Sequence, residues 1–197
     1  MNLAKPGIRV LGIAESYSGR VQSTLAGIVM RKDLRIDGAA FARVTVGGTD
    51  ATDATVRIVA GLDRRDINLI MISGSVIAWY NIIDPAAVQE ATGFPVIITT
   101  YEESDGLEDE IRHHFPGDAE RLAAYRRLGG RIPVRLHSGY TLFIRTCGIS
   151  AEDAARLCND FTHDGRMPEP VRVARLIARG LIRSFGCAGS APDDHDR

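Results

Sequence analysis

The first half of the chain alternates apolar segments of strand-like length with turn segments. Ile8–Ala14 and Thr24–Met30 are two such pieces. Phe41–Val46 alternates Phe41, Arg43 and Thr45 with Ala42, Val44 and Val46, the period of a half-buried strand. Asp33, Asp37, Gly38, Gly47 and Gly48 separate or follow them as turn formers. Links this short join antiparallel neighbours, so a three-strand meander is predicted. The period then lengthens. Asp50–Asp63 carries Ala54, Val56, Ile58, Val59 and Leu62 in a helical pattern, with the capping types Asp50, Thr52 and Asp53 at its start. Leu69–Ile72 and Phe94–Thr99 are continuous apolar runs, as in strands covered on both faces. Between them Asp84-Pro85 opens a short helix and Gly93 closes it. Strand, helix, strand, helix, strand predicts parallel crossovers, with Leu69–Ile72 and Phe94–Ile98 adjacent at the centre of the sheet. Helices are predicted over Leu107–Phe115 and Asp118–Leu128, and a strand over Tyr140–Thr146. A helix capped by Ser150 and Asp153 follows to about Phe161, and a last one opens at Pro168 and runs to about Ser184.

This order is that of an α/β protein with a ribonuclease H-like mixed sheet: an antiparallel three-strand meander continued by parallel strands and flanked by helices. One domain over residues 1–185 accounts for the whole pattern, and the small, polar and acidic residues 186–197 are expected to form a disordered tail. The composition of the 197 residues, 45% hydrophobic and 25% charged, is ordinary for one globular domain. The formal net charge of −1 provides no global basic field, so nucleic-acid binding must rest on a local patch. Apolar runs fall far short of the roughly 20 residues that span a bilayer. Lys5 has no apolar stretch behind it, and no secretory signal is expected. Cys147, Cys158 and Cys187 form neither a CxxC pair nor an even set, which excludes a disulfide framework and a thiolate zinc site. The cytoplasm is the expected location.

Most familiar catalytic signatures are absent. Gly47-Gly48 and Gly129-Gly130 read as turn glycines, since neither begins a phosphate loop. Ser73-Gly74-Ser75 follows a buried strand but lacks the second flanking glycine of a nucleophile elbow. His113 and His114 point about 100° apart on a helix and cannot share a metal comfortably. His137, His163 and His195 read as loop or tail residues, His163-Asp164 standing beside a helix end. The carboxylates near strand ends are more informative. Glu15 follows the first strand, Asp50 the third, and Asp84 lies beyond the fourth. Parallel first and fourth strands end side by side, where carboxylates can hold Mg²⁺ through oxygen ligands. Such an ion can generate hydroxide and neutralise a leaving oxygen. Asp84 is explained by its helix cap; Asp50 reads both as a cap and as a metal ligand. Arg172, Arg175, Arg179 and Arg183 share one face of the last helix, with Val173, Ala174, Leu176, Ile177 and Leu181 left to pack inward. The stripe reads as a solvated face or as a ridge of phosphate contacts. Tyr17, Arg31, Tyr80 and Tyr101, near strand ends, are candidates for phosphate contact or base stacking.

Seven stretches together carry a resemblance. They are Arg9-Val10-Leu11-Gly12-Ile13, Gly27-Ile28-Val29-Met30-Arg31, Asp50-Ala51-Thr52 and Leu69-Ile70-Met71-Ile72-x-Gly74. They continue through Asn81-Ile82-Ile83-Asp84 and Thr92-Gly93-Phe94-Pro95-Val96-Ile97 to Pro168-Glu169-Pro170-x-Arg172-x-Ala174-x-Leu176-Ile177-Ala178. From about Arg9 to Phe185 the chain resembles an archaeal family related to endonuclease V, some of whose members are described as deoxyuridine-directed endonucleases. The resemblance implies metal-dependent cleavage of DNA near deaminated bases, with Mg²⁺ or Mn²⁺ held by Glu15 and Asp50 and with Ser73 at a third catalytic position. It also implies DNA or RNA as partner, met by Tyr17, Arg31, Arg172, Arg175 and Arg179. The chain departs from the family at three places. Gly12-Ile13-Ala14-Glu15 stands for Gly-Ile-Asp-Asp, Gly47 for the first aspartate of Val-Asp-Gly-x-Asp-Ala-Thr, and Ile72-Ser73-Gly74 for Leu-Asp-Gly. Each lost carboxylate removes a charge from a hard-cation site. A non-catalytic descendant that binds nucleic acid or a protein on the same scaffold is therefore the rival expectation, and a rebuilt site for small phosphoesters a third.

Overall fold

The structure, a computed structural model, describes residues 7–17, 21–104 and 106–185. Residues 1–6 and 186–197, with Cys187, His195 and the expected tail, lie outside the described residues.

The meander forms as expected, with longer strands: β1 (Arg9–Ser16), β2 (Gln22–Arg31) and β3 (Ile36–Thr45). β1 and β2 pair antiparallel, Glu15 opposite Leu25 and Arg9 opposite Arg31, and β3 pairs antiparallel with β2. After α1 (Ala51–Leu62), β4 (Leu69–Ser73) pairs parallel with β1. A two-residue-armed hairpin follows, β5 (Val76–Ile77) and β6 (Asn81–Ile82), and then α2 (Pro85–Thr92) and β7 (Val96–Thr100), which pairs parallel with β4. The predicted central pair is therefore observed. α3 (Glu108–His114) and α4 (Ala119–Arg127) precede β8 (Ile132–Arg135) and β9 (Thr141–Cys147), and α5 (Ala151–Asp160) and α6 (Glu169–Phe185) close the chain. The sheet has seven strands in the order β3-β2-β1-β4-β7-β9-β8. β9 returns antiparallel to β7, a direction the linear pattern left open. β8 escapes the pattern because it is a short, mostly exposed edge strand containing Pro133, whose missing N–H is tolerated only at an edge.

Alternation along the strands builds two cores. Leu11, Ile13, Ile70, Ile72, Val96 and Ile98 face α1 and α2, where Ile58 and Val88 meet them. Val10, Leu69, Met71, Ile97 and Ile144 face the opposite way, against Leu157, Phe161 and Val171 of the last two helices and the turn between them. α6 lies on β1 and β2. It approaches so closely that a Cβ on Gly12 would fall 2.2 Å from the Pro170 carbonyl carbon. Only glycine admits that contact, which sets the height at which the arginines of α6 stand. Leu176, expected to pack inward, is 52% exposed, because α6 turns Ala174 and Ala178 to the sheet instead. Among the described residues no helix is long and apolar enough to cross a membrane. The described cysteines, Cys147 and Cys158, are free thiols.

Candidate functional site

The C-terminal ends of β1, β4 and β7 open into a cleft of about 820 Å³. Glu15, the Ser73-Gly74-Ser75 turn, Tyr101, Arg145 and Arg175 supply its polar walls. A smaller cavity of about 450 Å³, lined by Ser16, Tyr17, Arg179 and Arg183, shares Glu15 and Arg175 with the first. These two residues are the common wall. Parallel pairing of β1 with β4 and of β4 with β7 brings the three strand ends together, so residues far apart in sequence meet at one sheet edge.

The Ser23 hydroxyl lies in short hydrogen-bond contact with the Glu15 carboxylate and 2.8 Å from the Ser16 carbonyl, two acceptors that share its one proton. Burial raises the Glu15 pKa above the ordinary carboxylate range, with the Ser23 hydrogen bond and the Arg175 charge opposing it. The Tyr101 hydroxyl lies 3.1 Å from Thr99 Oγ1 and 3.4 Å from Ser73 Oγ. Thr99 spends its own proton on the Ile72 carbonyl at 3.2 Å, so Tyr101 donates to Thr99 and turns its lone pairs to Ser73. Burial raises the Tyr101 pKa, keeping it a neutral hydroxyl.

Asp50 stands at the same end of the sheet but in a different setting. β2 separates β3 from β1, which puts the two carboxylates on strands roughly 10 Å apart. Asp50 occupies the N-cap position of α1, yet its carboxylate does not cap the helix. It accepts from the Thr45 amide at 3.1 Å, the Thr45 hydroxyl at 2.9 Å and the Asn81 side-chain amide at 2.7 Å. Burial pushes its pKa up, but these hydrogen bonds outweigh it and hold the carboxyl below its ordinary value. Glu15 and Asp50 share no hydrogen-bond partner and no cavity. Among the described residues no group of three or more His, Cys, Asp or Glu side chains could hold a metal. A lone carboxylate with a guanidinium beside it does not fit a Mg²⁺ or Mn²⁺ site, which needs several oxygen ligands of net negative charge. Ala14, where the family pattern has an aspartate, is 1% exposed and packs on Ile28 and on Ala174 of α6.

The other candidates divide. Arg175, Arg179, Arg183 and Tyr17 gather at the smaller cavity. Arg172 instead turns back to Glu169, with Nη2 2.6 Å from the carboxylate. Arg31 is corrected as a partner of this group: antiparallel pairing carries it to the opposite end of the sheet, opposite Arg9, where it meets Asp33 at 3.0 Å. Asp84 caps α2 by accepting from the Ala86 and Ala87 amides, as expected. His114 stacks between Trp79 and Tyr80 rather than at the cleft. His137 and His163 meet each other away from it, His137 Nε2 lying 3.4 Å from the His163 carbonyl.

Three contributors escaped the linear reading. Arg145 reaches the cleft from β9, and Ser75 lines it with a buried hydroxyl that has no hydrogen-bond partner. The third is Arg121, buried under the hairpin. It donates to the carbonyls of Gly47, Gly48 and Tyr80 at 2.6–3.0 Å and pairs with Asp118. Its bonds fix a loop in which Ala78, Trp79 and Tyr80 all take left-handed φ values of 41–61°. Each costs about 1 kcal/mol or more without such support. An arginine in an amphipathic helix announces nothing of this in sequence.

Residues 6–182 match the sequence model of the family described as Endonuclease dU. A UPF0215 protein of Pyrobaculum calidifontis is 40% identical over 175 residues, covering 87% of this chain and 95% of the relative. Among solved structures, a protein of unknown function from Archaeoglobus fulgidus superposes with a TM-score of 0.77 at 25% identity, over 88% of this chain and 98% of that one. Endonuclease V of Ciona intestinalis, solved with a 24mer DNA containing an inosine followed by a ribo-adenosine, superposes with a TM-score of 0.64 at 14% identity, over 92% and 88%. That likeness shows the fold, a large mixed sheet flanked by helices. With a matched segment spanning almost all of its described length, the chain belongs to the Endonuclease dU family.

Proposed function

We propose that this protein binds nucleic acid by its backbone phosphates at the shared wall of the two cavities and does not cleave it by a Mg²⁺-dependent route. One observation carries the reading: arginines outnumber carboxylates at the smaller cavity. Arg175, Arg179 and Arg183 line the smaller cavity with only Glu15 opposing them. A fixed guanidinium offers a phosphate a planar, bidentate donor. The DNA in the complex of the Ciona protein of the same fold supports a nucleic-acid partner. In the rival reading Glu15, Asp50 and Ser73 act as an endonuclease site with Mg²⁺ or Mn²⁺, and the donor set described above counts against it.

Oligonucleotides carrying uracil or hypoxanthine, single-stranded and duplex, separate the two. Binding is expected to be the same in EDTA as in Mn²⁺, without strand cleavage. Arg175→Ala with Arg179→Ala should weaken duplex binding and flatten its log–log salt slope by about 0.9 per lost contact. Metal-dependent cleavage that disappears in Glu15→Ala would overturn the proposal in favour of the endonuclease.

A further inference from the structure

Arg145 is the second cation of the larger cleft. It projects from β9, whose residue Arg145 pairs with Ile98 of β7, while Arg175 comes from α6 over the end of β1. β1 and β9 are three strand spacings apart, about 14 Å, and both arginines line the cleft. Arg145 gives its Nε–H to the Gly129 carbonyl at 3.1 Å, and neither it nor Arg175 forms an ion pair among the described residues. Among the other described arginines, Arg9, Arg64, Arg112, Arg121, Arg126 and Arg172 form ion pairs, whereas Arg43, Arg57 and Arg135 do not. Burial lowers the Arg145 pKa, Tyr125 opposing this and the Arg131 charge adding to it, so the charge is kept there at a cost. Arg131 itself is satisfied, donating to the Glu102 and Ser104 carbonyls at 2.8 Å while lying over the Phe143 ring. The same cleft is lined by Ser75, 2% exposed, with its hydroxyl unpartnered among the described residues. A buried donor left unmade costs free energy unless something supplies its acceptor.

Two guanidinium groups without ion pairs among the described residues and an unsatisfied hydroxyl, all lining one cleft, describe a site that suits an anion. We propose that Arg145, with Ser75, is a second phosphate subsite, so that the cleft holds two backbone phosphates of one single nucleic-acid strand, one at Arg175 and one at Arg145. This rests on the nucleic-acid reading above and adds to it a defined second contact and a strand rather than a duplex as occupant. A single strand suits the cleft because Tyr125 and Phe143 line it, ring surfaces on which unpaired bases stack.

The test is the affinity of a fluorescent oligo-dT strand for the full chain over a range of salt, in EDTA. Arg145→Gln should weaken binding about tenfold and lower the log–log slope by about 0.7, the single-strand value for one phosphate. Arg145→Lys should keep the slope and recover part of the affinity. Ser75→Ala should weaken binding about threefold while leaving the thermal midpoint unchanged or higher, since it removes an unsatisfied buried hydroxyl. Loss of binding in Arg175→Gln together with unchanged affinity and slope in Arg145→Gln overturns the second subsite and leaves the nucleic-acid reading intact. Absence of strand binding by the unaltered protein overturns both. Tighter binding to duplex than to oligo-dT, with Arg145→Gln neutral, overturns the single-strand assignment.

Discussion

Glu15 and Asp50 end up at the same edge of one sheet, and the protein treats them in opposite ways. Glu15 is pressed against apolar surroundings with one hydroxyl donor and a distant guanidinium, and its charged form is disfavoured. Asp50 is more open, yet three donors from Thr45 and Asn81 close around it, and its charged form is favoured. Burial prevails at Glu15, with its one hydroxyl donor, and hydrogen bonds prevail at the more open Asp50. Asp50 is thereby a structural residue: it ties the end of β3 to the hairpin through Asn81, itself 0% exposed and also accepting from the Ala51 amide. Glu15 is left unspent, facing the arginines.

The difference can be probed from its strongest consequence downward. Ala14→Asp restores a carboxylate beside Glu15, but places it against Ala174 under α6 with no donor in reach among the described residues. It should cost about 3 kcal/mol or more and leave little folded protein at moderate temperature. Thermal unfolding with and without Mn²⁺ checks this. Recovery of the wild-type midpoint by the ion would mean that the strand end can assemble a metal site after all. Asp50→Ala comes next. Breaking the Thr45 and Asn81 bonds should cost about 2 kcal/mol, a fall of roughly 4–8 °C in the midpoint for a domain of this size. Oligonucleotide affinity should stay as it was. A fall in affinity without a fall in stability would return Asp50 to the functional site.

Glu15→Gln should have the smallest effect, and its sign is the informative part. The raised folded pKa means that the ionised carboxyl destabilises the fold at neutral pH, a penalty relieved as pH falls through that folded value. The depressed value of Asp50 gives the reverse: its contribution is complete above the ordinary carboxylate range and is lost as pH falls through its folded pKa. Chemical unfolding from pH 7 to pH 3 should therefore show Glu15→Gln at or above the wild type at neutral pH and Asp50→Asn below it, both gaps closing on acidification. Removing the Glu15 charge should also tighten oligonucleotide binding about threefold by ending its repulsion of phosphate. Weaker binding in Glu15→Gln would make the carboxylate itself a ligand contact.

Much of this molecule is legible along the chain because its causes are local. Strand-length apolar segments cut by turn residues placed β1 to β3 in the meander, continuous apolar runs marked β4 and β7, and Asp84-Pro85, Gly93 and Ser150 bounded their helices through hydrogen bonds within a few residues. The order of elements was enough for the mixed sheet, since parallel strands require crossovers of helical length. What a functional group becomes depended on long-range pairing. Asp50 and Thr45 needed the hairpin to bring Asn81, and strand direction carried Arg31 to the opposite end of the sheet. Arg145 and Ser75 met Arg175 only because β9 docks beside β7 and because Gly12 lets α6 settle onto β1. Backbone preference and burial pattern are written in neighbouring residues. The surroundings of a charge are written in residues a hundred or more positions away, and only the folded sheet decides whether a donor, an acceptor or nothing stands opposite.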